Sequence, residues 1–379
     1  MSLREKIERE IRERGPIPFS RYMEMCLYDP EFGYYSKPTE KFGKAGDFYT
    51  SSDVHAVFGR LLARQFEEMW RALDSPMALE LRELGPGRGL FAQDVLDWSE
   101  KKFPDFFRAL RYTLVESSPA LRQRLGGTLG RHIASGNAVV LDAGSQAQGE
   151  GAGLPTIIFA NEFFDALPVE VISGQGALRV GVHEGRFIET WALASAEELA
   201  FLDRHGVHPE SAGRTEVGLA AVRHMSQIAA SIGRGFLIAI DYGYTREEQL
   251  AGRHLDTVMT YREHAASPNP YGAPGEQDIT EHVNFSALAA AAERGGMQAH
   301  RLLTQSQFLM GIGERSQFAD AFEECRLPQE RAKVALQLKH LVTPAGMGEM
   351  FQVLVASKGV EASLVDGLSG LGFGRNADR

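Results

Sequence analysis

The chain has 379 residues, a formal net charge of −10 and 44% hydrophobic residues. This length allows about two domains of ordinary size or one elaborated domain, and the apolar content excludes a disordered or fibrous protein. The acidic balance argues against a protein that binds the phosphate backbone of nucleic acids, because such binding depends on clustered Lys and Arg. The two cysteines, Cys26 and Cys325, suggest neither a cysteine zinc cluster nor a disulfide framework.

Residues 1–15 predict an amphipathic helix. Leu3, Ile7 and Ile11 recur at helical spacing between charged residues, and Ser2 with Glu5 has the spacing of a capping box. Mitochondrial presequences are poor in acidic residues, whereas this segment contains several of them, and no apolar run is long enough to span a bilayer. We therefore expect a cytoplasmic protein that does not insert into membranes.

The segment over residues 16–75 combines an irregular, aromatic-rich part with a helix over 58–73. It has too little regular structure to be an independent domain, so residues 1–75 are predicted to form an N-terminal lid segment. Residues 76–379 are predicted to form one α/β domain. Three insertions interrupt that domain, at about 173–233, 244–285 and 306–348.

From residue 77 onward, apolar segments alternate with helical segments, a pattern typical of parallel strands covered by helices on both faces. Several of these segments are nearly continuous apolar runs, as buried parallel strands should be. Seven strands are predicted, at 78–84, 111–116, 138–142, 156–161, 235–241, 298–303 and 351–357. The sequence therefore predicts a doubly wound, Rossmann-like α/β fold with a seven-stranded, mostly parallel sheet.

The most specific local motif is a glycine-rich turn between the first strand and the helix that follows it. Glu83 precedes three glycines at alternate positions, Gly85, Gly87 and Gly89. Glycine lets a ligand approach the main chain, at the sheet edge where doubly wound folds bind ligands. A dinucleotide fingerprint would need its third glycine at Leu90. The spacing is instead the form found in class I S-adenosylmethionine-dependent methyltransferases, with an ordinary ligand-free turn as the alternative.

Acids also end the next two predicted strands. Glu116 closes the second strand, where a carboxylate can accept hydrogen bonds from both hydroxyls of a ribose. Asp142 ends the third strand and suits the exocyclic amine of adenine. One acid at a strand end is commonplace, but three in succession, counting Glu83, favour a nucleoside site. The predicted cofactor-binding residues are therefore these three acids and the three glycines of the turn.

These motifs, with others in the same order, make the sequence resemble the MidA family of class I methyltransferases. The resemblance covers nearly the whole chain and rests on residues 22–30, 33–35, 46–51, 83–89, 161–168, 241–243, 274–285 and 308–313. Eukaryotic members of that family are mitochondrial assembly factors that methylate an arginine on a subunit of respiratory complex I. The resemblance implies S-adenosyl-L-methionine as cofactor and a protein arginine as the methyl acceptor.

The resemblance also implies that residues 46–51 lie against the cofactor as part of the lid, with Asp47, Phe48 and Thr50 contacting it. From the residues alone, a Gly-Asp turn followed by an aromatic ring and hydroxyls can offer stacking and hydrogen bonds to a nucleoside. The same residues can equally form an Asx-turn with a buried Phe48.

Methylation of an arginine requires the enzyme to align the guanidinium with the methyl–sulfur bond and to exclude water. Carboxylates that hold a guanidinium in a fork orient one nitrogen and can receive its proton. Asn161, Glu162 and Asp165 follow the fourth predicted strand, at the edge of the sheet that binds ligands. We hypothesise that Glu162 and Asp165 grip the substrate and that one of them is the base. In the structural alternative, Asn161 satisfies the turn and Asp165 caps a helix.

His282 is a further catalytic candidate, with Asp278 to orient its ring, although a satisfied structural histidine is the alternative. No metal site is predicted, because His205 and His208 lack further ligands at suitable spacing. Two other functions remain open. One is methylation of a small molecule or nucleic acid, and the other is a non-enzymatic assembly protein that retains the fold. The insertions can also form a homodimer surface.

Overall fold

The structure is a computed structural model and describes residues 1–37, 56–144, 153–210, 213–262 and 265–374. The helices are α1 Leu3–Arg14, α2 Phe19–Tyr28, α3 Ala56–Ala72, α4 Leu90–Lys102, α5 Pro104–Ala109, α6 Pro119–Thr128, α7 Gly130–Ala134, α8 Ala196–His205, α9 Leu219–Ser231, α10 Arg246–Leu250, α11 Phe285–Arg294, α12 Gln305–Arg315, α13 Ala319–Phe322, α14 Pro328–Val342 and α15 Ala362–Asp366. Short 3₁₀ helices lie at Tyr34–Ser36 and Ser369–Leu371.

The strands are β1 Ile17–Pro18, β2 Leu79–Leu84, β3 Leu110–Glu116, β4 Ala138–Asp142, β5 Thr156–Asn161, β6 Glu170–Ser173, β7 Gly176–His183, β8 Arg186–Ala192, β9 Arg214–Val217, β10 Gly235–Tyr244, β11 Met259–Arg262, β12 Ala265–Ser267, β13 Asp278–Thr280, β14 Val283–Asn284, β15 Gln298–Ala299, β16 Leu303–Thr304 and β17 Phe351–Lys358. None of the helices in the described ranges is long and apolar enough to cross a membrane.

The centre of the fold is a nine-stranded sheet whose main path runs β15-β17-β10-β5-β2-β3-β4, with β14 beside β10 and β16 beside β17. Strands β10, β5, β2, β3 and β4 are parallel, and β17 runs antiparallel to β10. The predicted doubly wound α/β fold is therefore confirmed. All the parallel strands end at one edge of this sheet, which is the edge that carries the acids and the glycine turn.

Both faces of the central strands are buried, which explains why their sequences are continuous apolar runs. Phe236, Ile238 and Ile240 of β10 pack in the core that contains α3, α4 and α12. Leu237 and Ala239, which alternate with them, pack in a second core with α9 and α11. Successive side chains of a strand point to opposite faces, so one apolar run supplies two cores.

The strand predicted over residues 298–303 forms as two short strands, β15 and β16. Ala299 lies opposite Ala356 of β17, and Leu303 lies opposite Val353. Between these two pairs, the segment 299–303 advances by four residues and β17 by three. The extra residue interrupts the hydrogen-bonded ladder, as in a β-bulge. A continuous strand was the wrong prediction here, although the position of the segment beside β17 agrees with a seven-stranded core.

The N-terminal segment packs on a second sheet, whose path is β1-β7-β6-β9 with β8 beside β7. The predicted helix over residues 1–15 is confirmed as α1, and Ser2 and Glu5 form the predicted capping box. β1 joins the sheet because Ile17 pairs with Val180 in antiparallel register. The N-terminal segment and the insertion at 173–233 therefore share one apolar core. A lid function for residues 1–75 stays a prediction.

The insertion at 244–285 returns to the main sheet through a small three-stranded sheet of order β12-β11-β13. In it, Tyr261 lies opposite Asp278. β14 then lies parallel to the end of β10, where Gly243 pairs with Val283. A Cβ atom at Gly243 would lie 2.3 Å from the main-chain oxygen of Val283, so this close approach requires glycine. Residues of the insertion are thereby held beside the ligand-binding edge.

Candidate active site

The turn after β2 adopts a backbone conformation that glycine tolerates better than any other residue. The φ angles of Gly85, Gly87 and Gly89 are 63°, 54° and 77°, all in the left-handed region. A Cβ atom at Gly85 would lie 3.2 Å from a ring carbon of Phe163. The amide N–H of Gly85 donates to the carbonyl of Val115 at 3.0 Å, which ties the turn to β3. The turn therefore presents bare main chain at the edge of the sheet.

A cavity opens beside this turn. Its walls come from the turn, the ends of β3 and β5, α4, α6 and the N-terminal segment. The lining residues are Tyr28, Tyr35, Glu83, Gly85, Pro86, Gly87, Arg88, Leu90, Phe91, Glu116, Ser117, Leu121, Phe159, Asn161, Glu162, Phe163 and Ala166. The structure thus brings most of the predicted loop and acids together with two of the predicted catalytic residues. A neighbouring cavity shares several of these residues and continues to Leu141 and Ala143, near the end of β4.

Glu83 is a buried carboxyl in the wall of the cavity, with 5% of its surface exposed. Burial raises the pKa of Glu83 to about 8, a hydrogen bond from Tyr112 opposes the rise, and the nearby Glu116 adds to it. In that hydrogen bond the Tyr112 hydroxyl donates to Oε2 of Glu83 at 2.8 Å. The carboxyl is therefore held in place before any ligand binds.

Glu116 lies at the end of β3, as predicted, and its side chain lines the cavity. Its Oε1 accepts the N–H of Ser118 at 2.8 Å. Burial raises the pKa of Glu116, and main-chain N–H groups, led by that of Ser118, oppose the rise. Arg122 donates to the main-chain oxygen of Glu116 at 2.7 Å, which also fixes the strand end.

Asp142 ends β4, as predicted, but its carboxylate is about half exposed and pairs with Arg122 at 2.6 Å. Its Oδ1 accepts the N–H of Gly144 at 2.8 Å. Asp142 is not among the residues that line the cavity. Its contact with an adenine amine stays a prediction. The other predicted cofactor residues, Asp47, Phe48 and Thr50, lie outside the described residues.

Glu162 lies in the turn after β5 and has a φ of 49°, an unusual conformation for a residue with a side chain. Such backbone strain persists where the surroundings hold it and clusters at functional sites. The N–H of Glu162 donates to the carbonyl of Ile240 at 2.9 Å. Asn161 donates through Nδ2 to Oε1 of Glu162 at 3.1 Å, so the carboxylate is oriented by its neighbour.

Asp241 holds the turn that carries Glu162. Its Oδ2 accepts the N–H groups of residues 163, 164 and 165, at 3.2, 2.9 and 3.2 Å, and its Oδ1 accepts the N–H of Tyr242 at 2.9 Å. Burial raises the pKa of Asp241 to about 8 and Glu162 adds to the rise, whereas these N–H groups oppose it. Asp241 therefore acts as a clamp between β10 and the turn after β5.

Asp165 is buried, with 6% of its surface exposed, and it is not among the residues that line the cavity. Its Oδ1 has no hydrogen-bond partner among the described residues. Burial raises the pKa of Asp165 far above its usual range, and the charges of Asp241 and Asp278 add to the rise. Of the two carboxylates predicted to grip the substrate, Glu162 lines the cavity and Asp165 lies behind that lining.

His282 lies beside a different cavity, which it lines together with His254 and Tyr242. Its Nδ1 is 3.0 Å from Nδ1 of His254. Burial, with a contribution from His254, lowers the pKa of His282 to about 4, so the ring is neutral at ordinary pH. The Tyr35 hydroxyl lies 3.0 Å from each carboxylate oxygen of Asp278. An orienting contact between Asp278 and His282 stays a prediction. A catalytic role for His282 stays a prediction.

The cavity residues fit S-adenosyl-L-methionine. The bare main chain of the glycine turn gives room for the methionine part, and the buried carboxyls Glu83 and Glu116 suit an ammonium group and ribose hydroxyls. Asn161 adds a buried Oδ1 that has no partner in the described part of the chain, which suits a donor group of a ligand. Within the described residues, no group of three or more His, Cys, Asp or Glu could hold a metal ion.

Known proteins match this chain over most of its length. A family described as S-adenosyl-L-methionine-dependent methyltransferase matches residues 61–303. The protein arginine methyltransferase NDUFAF7 homolog, mitochondrial, of Drosophila melanogaster is 29% identical and covers 98% of this chain and 88% of its own. The mitochondrial protein arginine methyltransferase NDUFAF7 of Danio rerio is 31% identical, over 93% of this chain and 86% of its own.

A solved structure gives the same result. The crystal structure of a Burkholderia thailandensis protein bound to S-adenosyl-homocysteine has a TM-score of 0.81 and 29% identity, and the match covers 97% of this chain and 94% of that one. The family match, the solved structure and the cavity agree on the cofactor. The chain belongs to this family of S-adenosyl-L-methionine-dependent methyltransferases.

Proposed function

We propose that the enzyme transfers the methyl group to an arginine side chain of a protein. The observation that carries this proposal is the carboxylate of Glu162, which lines the cavity beside the glycine turn, named the donor cavity from here on. Asn161 donates a hydrogen bond to this carboxylate, and Asp241 holds the strained turn that carries it. A carboxylate held in this way is the group that a guanidinium requires. The names of the relatives, which are protein arginine methyltransferases, support the same acceptor.

The bound donor supplies a methyl group on a positively charged sulfur. Glu162 accepts hydrogen bonds from the guanidinium of the substrate and turns one nitrogen toward that methyl group. A bond forms between the nitrogen and the methyl carbon while the methyl–sulfur bond breaks and its electrons remain on sulfur. The nitrogen loses its proton to Glu162, which acts as the general base.

The surroundings of the site favour a cationic acceptor. Asp165 and Asp241 are buried beside the turn that carries Glu162. Glu281 is also buried, and its main-chain N–H donates to the main-chain oxygen of Asp165 at 3.1 Å. Burial raises the pKa of all three carboxyls, and a cation that approaches them favours their charged form and so lowers these pKa values again. An arginine, which is always charged, therefore interacts with these carboxyls more favourably than a neutral acceptor does.

The resemblance to the MidA family extends the proposal to the partner, a subunit of respiratory complex I, and to a protein substrate that docks beside the cavity. The relatives carry mitochondrial names, whereas we propose a cytoplasmic location for this chain. A homodimer stays a prediction.

The proposal is tested with Glu162→Gln. We expect methylation of protein arginine, measured as initial rates with labelled donor, to fall by roughly 10²- to 10³-fold, because a general base contributes on this order. Donor affinity by calorimetry and the free energy of unfolding should stay near the parent values. Mass spectrometry of arginine methylation in cells with and without the protein identifies the acceptor.

Glu184→Gln is a matched control. Glu184 also has a positive φ, 47°, but it lies in the exposed turn between β7 and β8. This variant should methylate at the parent rate. Methylation at the parent rate by Glu162→Gln would contradict the role of Glu162 as general base. Label found only in small molecules would contradict a protein arginine as the methyl acceptor.

A further inference from the structure

Two tyrosines of the N-terminal segment form one wall of the donor cavity. Tyr28 is the last residue of α2, and Tyr35 lies in the 3₁₀ helix Tyr34–Ser36. Their rings are stacked, with centroids 5.6 Å apart and planes inclined by 28°. Both line the cavity that also contains Gly85 and Gly87. They were not among the site residues predicted from the sequence.

The hydroxyl groups of both tyrosines are engaged by neighbouring protein. The Tyr28 hydroxyl donates to the main-chain oxygen of Ala166 at 2.8 Å. The Tyr35 hydroxyl is 3.0 Å from each carboxylate oxygen of Asp278. Asp278 is 4% exposed and is not among the residues that line the cavity. With their hydroxyls anchored, what the two tyrosines offer the cavity is aromatic surface.

Aromatic surface has a specific affinity for cations, because the face of a ring carries negative charge density. A phenol that donates a hydrogen bond to a carboxylate becomes more electron-rich, so Asp278 strengthens this property of Tyr35. The methyl donor carries a positive charge on its sulfur, and the product, S-adenosyl-homocysteine, has a neutral sulfur there. An aromatic wall at that position distinguishes the two molecules by charge.

We propose that Tyr28 and Tyr35 contact the charged sulfur of the bound donor, that Asp278 is a positioning residue that holds Tyr35, and that this wall makes the enzyme prefer donor over product. The preference favours exchange of spent product for fresh donor after each turnover. The proposal rests on the cofactor and not on the identity of the acceptor, so it stands even if the acceptor is not an arginine.

The test compares the dissociation constants of S-adenosyl-L-methionine and S-adenosyl-L-homocysteine by calorimetry on the full chain. In Tyr35→Leu the ratio of product to donor constants should fall roughly 3- to 30-fold, the range expected for loss of a cation–ring contact. Tyr35→Phe and Asp278→Asn keep the ring and should lower the ratio about twofold. Tyr34→Phe is the control, because Tyr34 is buried against Tyr35 but is not among the cavity-lining residues.

Equal losses of donor and product affinity in Tyr35→Leu would overturn the proposal, because they would show that the ring only fills space. If that variant does not fold, as judged by thermal unfolding, Tyr28→Leu decides by the same criterion. An unchanged ratio accompanied by a raised KM for the acceptor would also overturn it, because the wall would then serve the acceptor. A changed ratio in Tyr34→Phe would refute the assignment to these two rings.

Discussion

Replacement of Glu83 by Gln links the donor cavity to the stability of the fold. Burial raises the pKa of Glu83 from its ordinary 4.5 to about 8. The unfolded chain releases this proton near the ordinary value, so between the two values the folded protein binds more protons than the unfolded one. Stability therefore falls as the pH rises through this window, and the contribution of Glu83 is fully retained only below about pH 4.5.

The size of the effect follows from the same two values. One proton of difference changes the free energy of unfolding by about 1.4 kcal/mol per pH unit. From about pH 5 to about pH 8 the ionisation of Glu83 therefore costs the parent roughly 3 kcal/mol. Gln cannot ionise, and its side-chain oxygen can still accept the hydrogen bond from Tyr112. The stability of Glu83→Gln relative to the parent should rise by this amount over the same range.

Urea unfolding at a series of pH values measures this difference. Subtracting the free energy of unfolding of the parent from that of the variant cancels the pH-dependent contributions that both proteins share. Glu184→Gln, at an exposed site, should give a difference that is independent of pH. A difference for Glu83→Gln that is also flat would refute the reasoning, because Glu83 would then ionise alike in the folded and unfolded chains. Calorimetry of the same variant should show donor affinity reduced by about tenfold, as for a lost hydrogen bond to a charged group.

Other substitutions test other parts of the site. Gly87→Ala adds a Cβ at a φ of 54°, so unfolding in urea should show a loss of about 1 kcal/mol and calorimetry a weaker affinity for the donor. Asp241→Asn leaves at least one of four N–H groups without an acceptor, so stability should fall by about 1–3 kcal/mol and the methylation rate should fall more than donor affinity. His282→Asn should leave the donor dissociation constant within about twofold, because the ring lies beside another cavity. Its pH–rate profile near neutrality should match the parent, since the pKa of His282 is about 4.

The sheet and the glycine turn were predictable because local sequence decides them. Strands buried on both faces need continuous apolar runs, and the predicted segments 138–142 and 156–161 coincide with β4 and β5. The turn after β2 has three positive φ angles, and glycine alone adopts these freely, so its position in the sequence marked the cavity. The interruption between β15 and β16 depends on register with β17, which a single segment does not encode.

The rest of the site depends on contacts between distant parts of the chain. Tyr28 meets Ala166 and Tyr35 meets Asp278 only after the fold has formed, so their place in the cavity has no local signal beyond an aromatic-rich segment. Asp165 is likewise buried near Asp241 and Asp278, which lie far from it in the sequence. The sequence therefore predicted two gripping carboxylates where the structure has one in the lining.

The donor cavity is built from distant parts of the chain, and the pairing of β1 with β7 holds the N-terminal part of it in place. Ile17 reaches Val180 across the length of the first half of the sequence, and the same segment carries Tyr28 and Tyr35. A ligand that needs the complete wall must stabilise this docking, by about 2.7 kcal/mol at a concentration 100 times its dissociation constant. During synthesis β1 cannot pair until β7 itself has been made. Tight donor binding therefore reports that the beginning and the middle of the chain have come together.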